Sequence, residues 1–206
     1  MEESAWNRSE KEPIEKNELS FVTRLQAWDD EFTDLTGLEY AASLNCLGFY
    51  RCQITDLTPM AGLTELVELA LSGNKVNDLA HLAKLTGLKM LHLDENQIAD
   101  LLPLEELVNL NYLSLSGNQI TDLSPLAKMN DLKILELDEN QIADLTPLAR
   151  MTKLDVLNLH GNQITDLTPL FDLTNLHLLT LGGNQINDIA SEANLEKALP
   201  DCEITF

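Results

Sequence analysis

The stretch LDENQIADL occupies residues 93–101 and recurs unchanged at residues 137–145. Its asparagine belongs to a series in which the same residue returns every 22 positions. The asparagines of this series are Asn74, Asn96, Asn118, Asn140, Asn162 and Asn184, and Cys52 stands one period before the first. A fixed period of this length is the signature of a repeat architecture, in which each unit packs against its neighbours.

Seven consecutive repeats account for most of the chain. Each follows the pattern LxxLxxLxLxxNxIxDLxPLxx, and the rows begin at Ala41, Leu63, Leu85, Leu107, Met129, Met151 and Leu173. Seven columns are predicted to be apolar, and 48 of their 49 positions are, whereas the overall hydrophobic content of 44% predicts about 22. Only Glu192 departs from the pattern. One repeat cannot bury its apolar side chains alone, so the repeats are predicted to stack around one continuous core.

The order of elements within a repeat can be read at residues 90–104. Leucines alternate with variable residues over 90–94, which is typical of a strand with one buried face. A turn follows at Asn96, and Asp100 with Pro103 gives the start signal of a short helical or 3-10 return. We expect the asparagine amide to bond the backbone of the turn, and the aspartate to accept from the N–H groups that open the return.

The pattern resembles the leucine-rich repeat, whose core stands here as LKMLHLDEN at 88–96 and LKILELDEN at 132–140. The 22-residue length and the NQIxDLxPL ending are most similar to the internalin class, and also to the nuclear regulatory subunit of protein phosphatase one. The resemblance implies an α/β leucine-rich-repeat solenoid, or horseshoe. In such a fold a parallel β-sheet forms the concave face, and short 3-10 or helical returns form the convex face.

The two ends are expected to cap the solenoid. Apolar residues recur at helical spacing before the first repeat, at Phe21, Val22, Leu25, Trp28 and Phe32. This spacing predicts a helical N-terminal cap. At the other end, a short amphipathic helix stopped by Pro200 and a last edge strand are predicted. The expected organisation is a mobile acidic tail at 1–18 and a single domain at 19–206, made of the N-terminal cap (19–40), the seven repeats (41–194) and the C-terminal cap (195–206).

The composition restricts the partners and the compartment. With 34 acidic and 13 basic residues the net charge is −21, which opposes binding to nucleic acid or to an anionic membrane and is compatible with a basic protein. No apolar run approaches the ~18 residues of a membrane span, and MEESAWNRSE lacks the pattern of a secretory signal. Three cysteines, an odd number, favour a reducing compartment. A cytoplasmic monomer is therefore expected.

The carboxylates of LDENQIADL raise the question of a metal site. Four oxygen-bearing side chains fall on places one, three, seven and twelve of an EF-hand, at Asp94, Asn96, Asp100 and Glu105. The template fails at Ile98 and Ala99, where an oxygen ligand and a glycine belong. His92 and His160 lie three repeats apart, about 14 Å, which is too far to share a metal. No nucleophile is paired with a nearby histidine, so neither metal, cofactor nor enzyme activity is expected.

The eleventh column alternates between glycine and a charged residue. Gly73, Gly117, Gly161 and Gly183 share it with Arg51, Glu95 and Glu139. Because ordinary L-residues occupy the column, we expect that it does not require a positive φ.

The sixth, eighth and tenth columns are predicted to point outward from the sheet onto the concave face. The sixth column carries an apolar stripe about 20 Å long, made of Met90, Tyr112, Ile134, Val156 and Leu178. Beside it lie His92, Glu136, His160, Asp94 and Asp138. An apolar centre with an acidic margin is typical of a protein-binding surface, so these ten residues are the predicted partner-binding site.

The predicted function is a non-catalytic protein-binding module that presents a rigid concave surface. Strand propensity alone could also produce the apolar stripe. The alternative is an acidic structural or regulatory protein that binds a basic partner by charge. The resemblance to the phosphatase regulator adds a regulatory subunit that holds an enzyme on its concave face.

Overall fold

The computed structural model describes residues 19–28 and 33–206. Nine strands form one parallel sheet in sequence order. They are β1 (Arg24–Trp28), β2 (Cys46–Tyr50), β3 (Glu68–Ala70), β4 (Met90–His92), β5 (Tyr112–Ser114), β6 (Ile134–Glu136), β7 (Val156–Asn158), β8 (Leu178–Thr180) and β9 (Glu203–Thr205). From β1 to β8 each residue pairs with the one 22 positions later, as Leu91 pairs with Leu113. The sequence period is therefore the strand register, and the predicted leucine-rich-repeat solenoid is confirmed.

The returns between strands are 3-10 helices of three residues each. They span Leu38–Tyr40, Thr58–Met60, Ala80–Leu82, Leu102–Leu104, Ser124–Leu126, Thr146–Leu148 and Thr168–Leu170. The predicted aspartate column opens them: the carboxylate of Asp100 accepts from the backbone N–H of Leu102 at 2.8 Å, and Asp144 accepts from that of Thr146 at 2.8 Å. Each such bond satisfies an N–H that the first turn leaves without a helical partner.

The core is the stack of the predicted apolar columns. Every apolar residue of those columns is buried except Ile186 and Ile189. The turns that follow the strands carry a row of stacked asparagines, the asparagine ladder, formed by Asn74, Asn96, Asn118, Asn140, Asn162 and Asn184. The Nδ2 atom of Asn96 donates to the carbonyl oxygens of Leu71 and Leu93, and its Oδ1 accepts from the N–H of Val76. Each rung thus joins two successive repeats and satisfies the backbone of the turn, as predicted.

The N-terminal cap differs from the prediction. Residues 24–28, placed in a helix by the spacing of their apolar side chains, form β1 and pair with β2. Leu25 lies opposite Leu47, one 22-residue period later, and is buried, whereas Trp28 is 56% exposed. The sheet contact overrides the local helical spacing because it buries Leu25 and pairs the backbone of β2. Phe32 and the tail at 1–18 lie outside the described residues.

The C-terminal end closes with an α-helix and an edge strand. The helix runs Ile189–Ala198, and the side chain of its capping residue Asp188 accepts from the N–H of Ala190 at 3.0 Å. It therefore begins inside the seventh repeat, so the predicted boundary between 194 and 195 falls within it. The wider turn of an α-helix carries Ile189 away from the core, leaving it 81% exposed. In the described residues no helix has the length and apolar character needed to span a membrane.

Candidate functional site

The apolar stripe lies in one row along the concave face. Strand pairing puts Met90 beside Tyr112, and the row continues through Ile134, Val156 and Leu178. Met90 is 38% exposed and the other four are half-buried, so the stripe offers apolar surface to a partner. The same row continues to Glu68 on one side and Glu203 on the other. The stripe is thus an apolar strip bounded at both ends by carboxylates.

Tyr112 is fixed by two neighbours in the next row. Its ring lies against that of His92, with 4.5 Å between the centroids, and its hydroxyl donates to Oε2 of Glu136 at 2.7 Å. Burial, and then the hydrogen bond and charge of Glu136, raise the pKa of the Tyr112 phenol well above its ordinary value. The predicted residues of these two rows therefore form one contact unit, in which Tyr112 is oriented before any partner arrives.

The acidic margin is also held by neighbouring repeats. Asp94 accepts from the hydroxyl of Ser72 at 2.9 Å, and Asp138 accepts from Ser116 at 3.1 Å and from the backbone N–H of His160 at 3.0 Å. These bonds fix the carboxylates of the tenth column against the sheet surface. Within the described residues no group of three or more His, Cys, Asp or Glu side chains is arranged to hold a metal ion.

The sequence analysis missed a pair of stacked aromatic rings. Trp28 of β1 and Tyr50 of β2 lie in the same row as Asp94, with ring centroids 5.6 Å apart and planes only 6° from parallel. Burial, and then the charge of Glu68, raise the pKa of Tyr50. The signal was present in the sequence, because Trp28 stands 22 residues before Tyr50. It was hidden by the assignment of Trp28 to a helix.

The two aromatic rings form one wall of a pocket of about 770 Å³ on the concave face. The pocket covers only part of the predicted site. Of the ten predicted residues it includes four, His92, Asp94, Tyr112 and Glu136. It adds residues that were not predicted for binding, among them Trp28, Tyr50, Arg51, Glu95 and Glu139. The pocket therefore extends from β1 to β6, and the apolar stripe continues past it to β8.

The eleventh column adopts a left-handed backbone, contrary to the expectation from the sequence. Arg51, Glu95 and Glu139 have φ of 55°, 54° and 52°, close to the values of the glycines that share the column. The glycine after Arg51 has a packing reason, because a Cβ on Gly73 would lie 2.7 Å from Cγ of the Arg51 side chain. A Cβ on Gly161 would meet only the end of the flexible Glu139 side chain, and one on Gly117 would make ordinary contact with Glu95. The positive φ of the column, rather than packing, is therefore what these glycines share.

Comparison with known proteins agrees with this architecture. The family model described as leucine-rich repeats in two copies matches residues 108–150 and 152–197. The crystal structure of internalin C2 from Listeria monocytogenes is 40% identical in sequence, with a TM-score of 0.83, and the alignment covers 93% of this chain and 84% of that one. No curated protein sequence gives a significant match.

Two further solved structures are similar. The internalin inlF of L. monocytogenes is 30% identical with a TM-score of 0.66, covering 93% of this chain and 68% of that one. A leucine-rich-repeat protein of Leptospira interrogans is 25% identical with a TM-score of 0.64, covering 85% and 52%. The first two have sequence as well as fold in common with this chain.

Proposed function

This chain belongs to the internalin class of leucine-rich-repeat proteins, and we propose that it is a non-catalytic module that holds another protein on its concave face. Leucine-rich-repeat proteins generally mediate protein–protein interaction. One observation carries the proposal for this chain: the apolar stripe is continuous across β4 to β8 and remains accessible. A folded protein otherwise keeps such a contiguous apolar surface small.

The contacts around Tyr112 support the same function. Interfaces gain most from rigid aromatic side chains that lose little freedom on binding. Tyr112 meets this requirement, since His92 and Glu136 already hold its ring and its hydroxyl. The carboxylates at the margin then favour a partner that is neutral or basic rather than acidic.

The test is affinity capture with the full chain as bait and identification of the captured proteins by mass spectrometry. We expect Tyr112→Glu combined with Ile134→Glu to abolish capture, because both carboxylates would be desolvated in the interface. The matched control is Leu102→Glu combined with Val108→Glu. These two side chains are exposed, outside the strands, and the control adds the same charge.

The control variant should melt within a few degrees of the unchanged protein, since exposed substitutions typically cost about 0.5 kcal/mol or less. The concave variant loses the Tyr112–Glu136 bond and places two carboxylates opposite each other, so it should melt lower but still in one cooperative transition well above the assay temperature. Capture that survives the concave substitutions, or that is lost equally in the control, contradicts the proposal.

The acidic surface supports a second candidate, a structural or regulatory protein that binds a basic partner by charge alone. Salt distinguishes the two. Charge-driven capture falls steeply between low and moderate ionic strength, whereas capture through the apolar stripe is nearly insensitive to salt. Recovery of a phosphatase catalytic subunit among salt-resistant partners would favour the phosphatase-type regulatory subunit.

A further inference from the structure

We propose that the pocket beside Trp28 and Tyr50 receives an arginine side chain of the bound protein. The inference rests on the proposed function and deepens it, because it states which chemical group of the partner this end of the concave face selects. Two observations support it: the carboxylates that line the pocket, and the aromatic pair on β1 and β2.

The charge of the pocket is strongly one-sided. Four carboxylates line it, from Asp94, Glu95, Glu136 and Glu139, against one described Lys or Arg, Arg51. Within the described residues none of these carboxylates forms an ion pair with Lys or Arg. Of the four, only Glu139 lies near a histidine, with its Oε1 atom 3.5 Å from Nε2 of His160. A cation that enters the pocket therefore meets carboxylates that no Lys or Arg at 19–28 or 33–206 neutralises.

The aromatic pair selects the shape of that cation. Trp28 and Tyr50 stack nearly parallel, and Trp28 remains 56% exposed, so aromatic surface is open to solvent at the end of the pocket. A planar guanidinium stacks on an aromatic face and is weakly hydrated, which favours arginine over the compact and strongly hydrated ammonium of lysine. Its five fixed donors can also pair with the carboxylate of Asp94, which lies two repeats from Tyr50, about 10 Å along the sheet.

The carboxylate of Asp94 is already oriented. Its Oδ1 accepts from the hydroxyl of Ser72, which fixes the carboxylate and leaves Oδ2 as its acceptor for a ligand. Glu136 lies four repeats from Tyr50, about 20 Å, so it faces the other end of the pocket beside Tyr112. Asp94 follows Met90 in the same repeat, so a single segment of the partner can contact both the arginine site and the apolar stripe.

The test uses the full chain labelled with ¹⁵N and the peptide acetyl-Gly-Arg-Gly-amide as the probe. The readout is the Trp28 indole N–H signal, identified with Trp28→Phe. We expect this signal to shift with a Kd on the order of 1 mM, the range reached by a few exposed contacts. The matched peptide with citrulline, which keeps the shape but lacks the charge, should produce no shift.

A pair of variants locates the site. Asp94→Asn keeps an acceptor for the Ser72 hydroxyl but removes the charge, and should weaken binding of the arginine peptide about two- to fivefold. Glu65→Gln makes the same charge change at an exposed carboxylate outside the pocket and should leave the affinity unchanged.

Three outcomes overturn the inference: equal shifts with the citrulline peptide, equal effects of the two variants, or no indole shift at about ten times the expected Kd. All are independent of the capture experiment. Stripe-dependent capture without arginine binding would leave the proposed function in place and remove the arginine site. Arginine binding without stripe-dependent capture would leave the arginine site in place and remove the proposed function of the stripe.

Discussion

Replacing Asn118 by alanine removes one rung from the middle of the asparagine ladder. Asn118 is 8% exposed, and its Nδ2 donates to the carbonyl oxygens of Leu93 and Leu115, both at 2.9 Å. Its Oδ1 accepts from the N–H of Ile98 at 2.9 Å. Alanine leaves the N–H of Ile98 without its partner among buried leucines and isoleucines. The carbonyl of Leu93 keeps a bond from Asn96, and that of Leu115 keeps one from Asn140.

The size of the effect follows mainly from the Ile98 N–H. A buried donor that loses its partner costs about 1–3 kcal/mol, and the two carbonyls each lose one of two bonds. We therefore expect the free energy of unfolding to fall by about 2 kcal/mol, a large part of a typical total of about 5–15 kcal/mol. For a chain of this length the melting temperature should fall by about 4–8 °C.

Urea unfolding followed by circular dichroism measures this loss. Asn109→Ala is the matched control, because that asparagine is exposed and donates a single bond, to the carbonyl of Thr86 at 3.0 Å. It should cost about 0.5 kcal/mol or less. Amide exchange at Ile98 should also accelerate in Asn118→Ala. A stability loss within about 1 kcal/mol of the control would refute the argument that the ladder satisfies buried backbone.

Three further predictions concern backbone strain and pH. Glu95→Gly should be more stable than Glu95→Val by about 2 kcal/mol in urea unfolding, because valine tolerates φ of 54° poorly; equal stabilities would contradict this. The hydroxyl and backbone N–H of Thr146 lower the pKa of Asp144 below 3.8, so its contribution is present above that pH and lost as pH falls through the lowered value. Asp144→Asn should therefore lose less stability than the unchanged protein between pH 5 and pH 3; parallel losses would count against the capping bond. The raised pKa of Tyr112 stabilises the fold below pH 10.0, and this contribution is lost as pH rises beyond it. Tyr112→Phe should abolish that part of the alkaline dependence, and absorbance at 295 nm should show one late-ionising tyrosine fewer, with Tyr50 remaining.

The strand register could be predicted from the sequence because paired residues in neighbouring strands are separated by the 22-residue period of the repeat. Leu91 pairs with Leu113 for the same reason that they share a column. The aspartate bonds and the asparagine ladder followed too, since each is a local contact repeated in every unit. Prediction failed where this regularity ends. Residues 24–28 have apolar spacing that suits a helix, and pairing with β2, a contact with the next repeat, decides that they form a strand.

The left-handed column shows a second limit. A sequence with Arg51, Glu95 and Glu139 beside glycines argues against a positive φ, because the preference of each residue opposes it. The turn is nevertheless imposed by hydrogen bonds to the next repeat, such as that from the N–H of Glu95 to the carbonyl of Ser116 at 2.8 Å. Packing of neighbouring units thus overrode a local preference of about 1–2 kcal/mol.

The candidate site divides in the same way. The sequence by itself determined the fold and the apolar stripe, because residues at the same position of successive repeats become neighbours in a solenoid. Only the tertiary structure decided that Trp28 stacks on Tyr50, that Tyr112 bonds Glu136, and that these groups line one pocket with unpaired carboxylates. Those contacts depend on side-chain direction and on the curve of the sheet, which brings together residues from the terminal strand and the middle repeats. The 22-residue columns bring Trp28 beside Tyr50, but they contain no information on contacts between different columns, such as that of Tyr112 with Glu136.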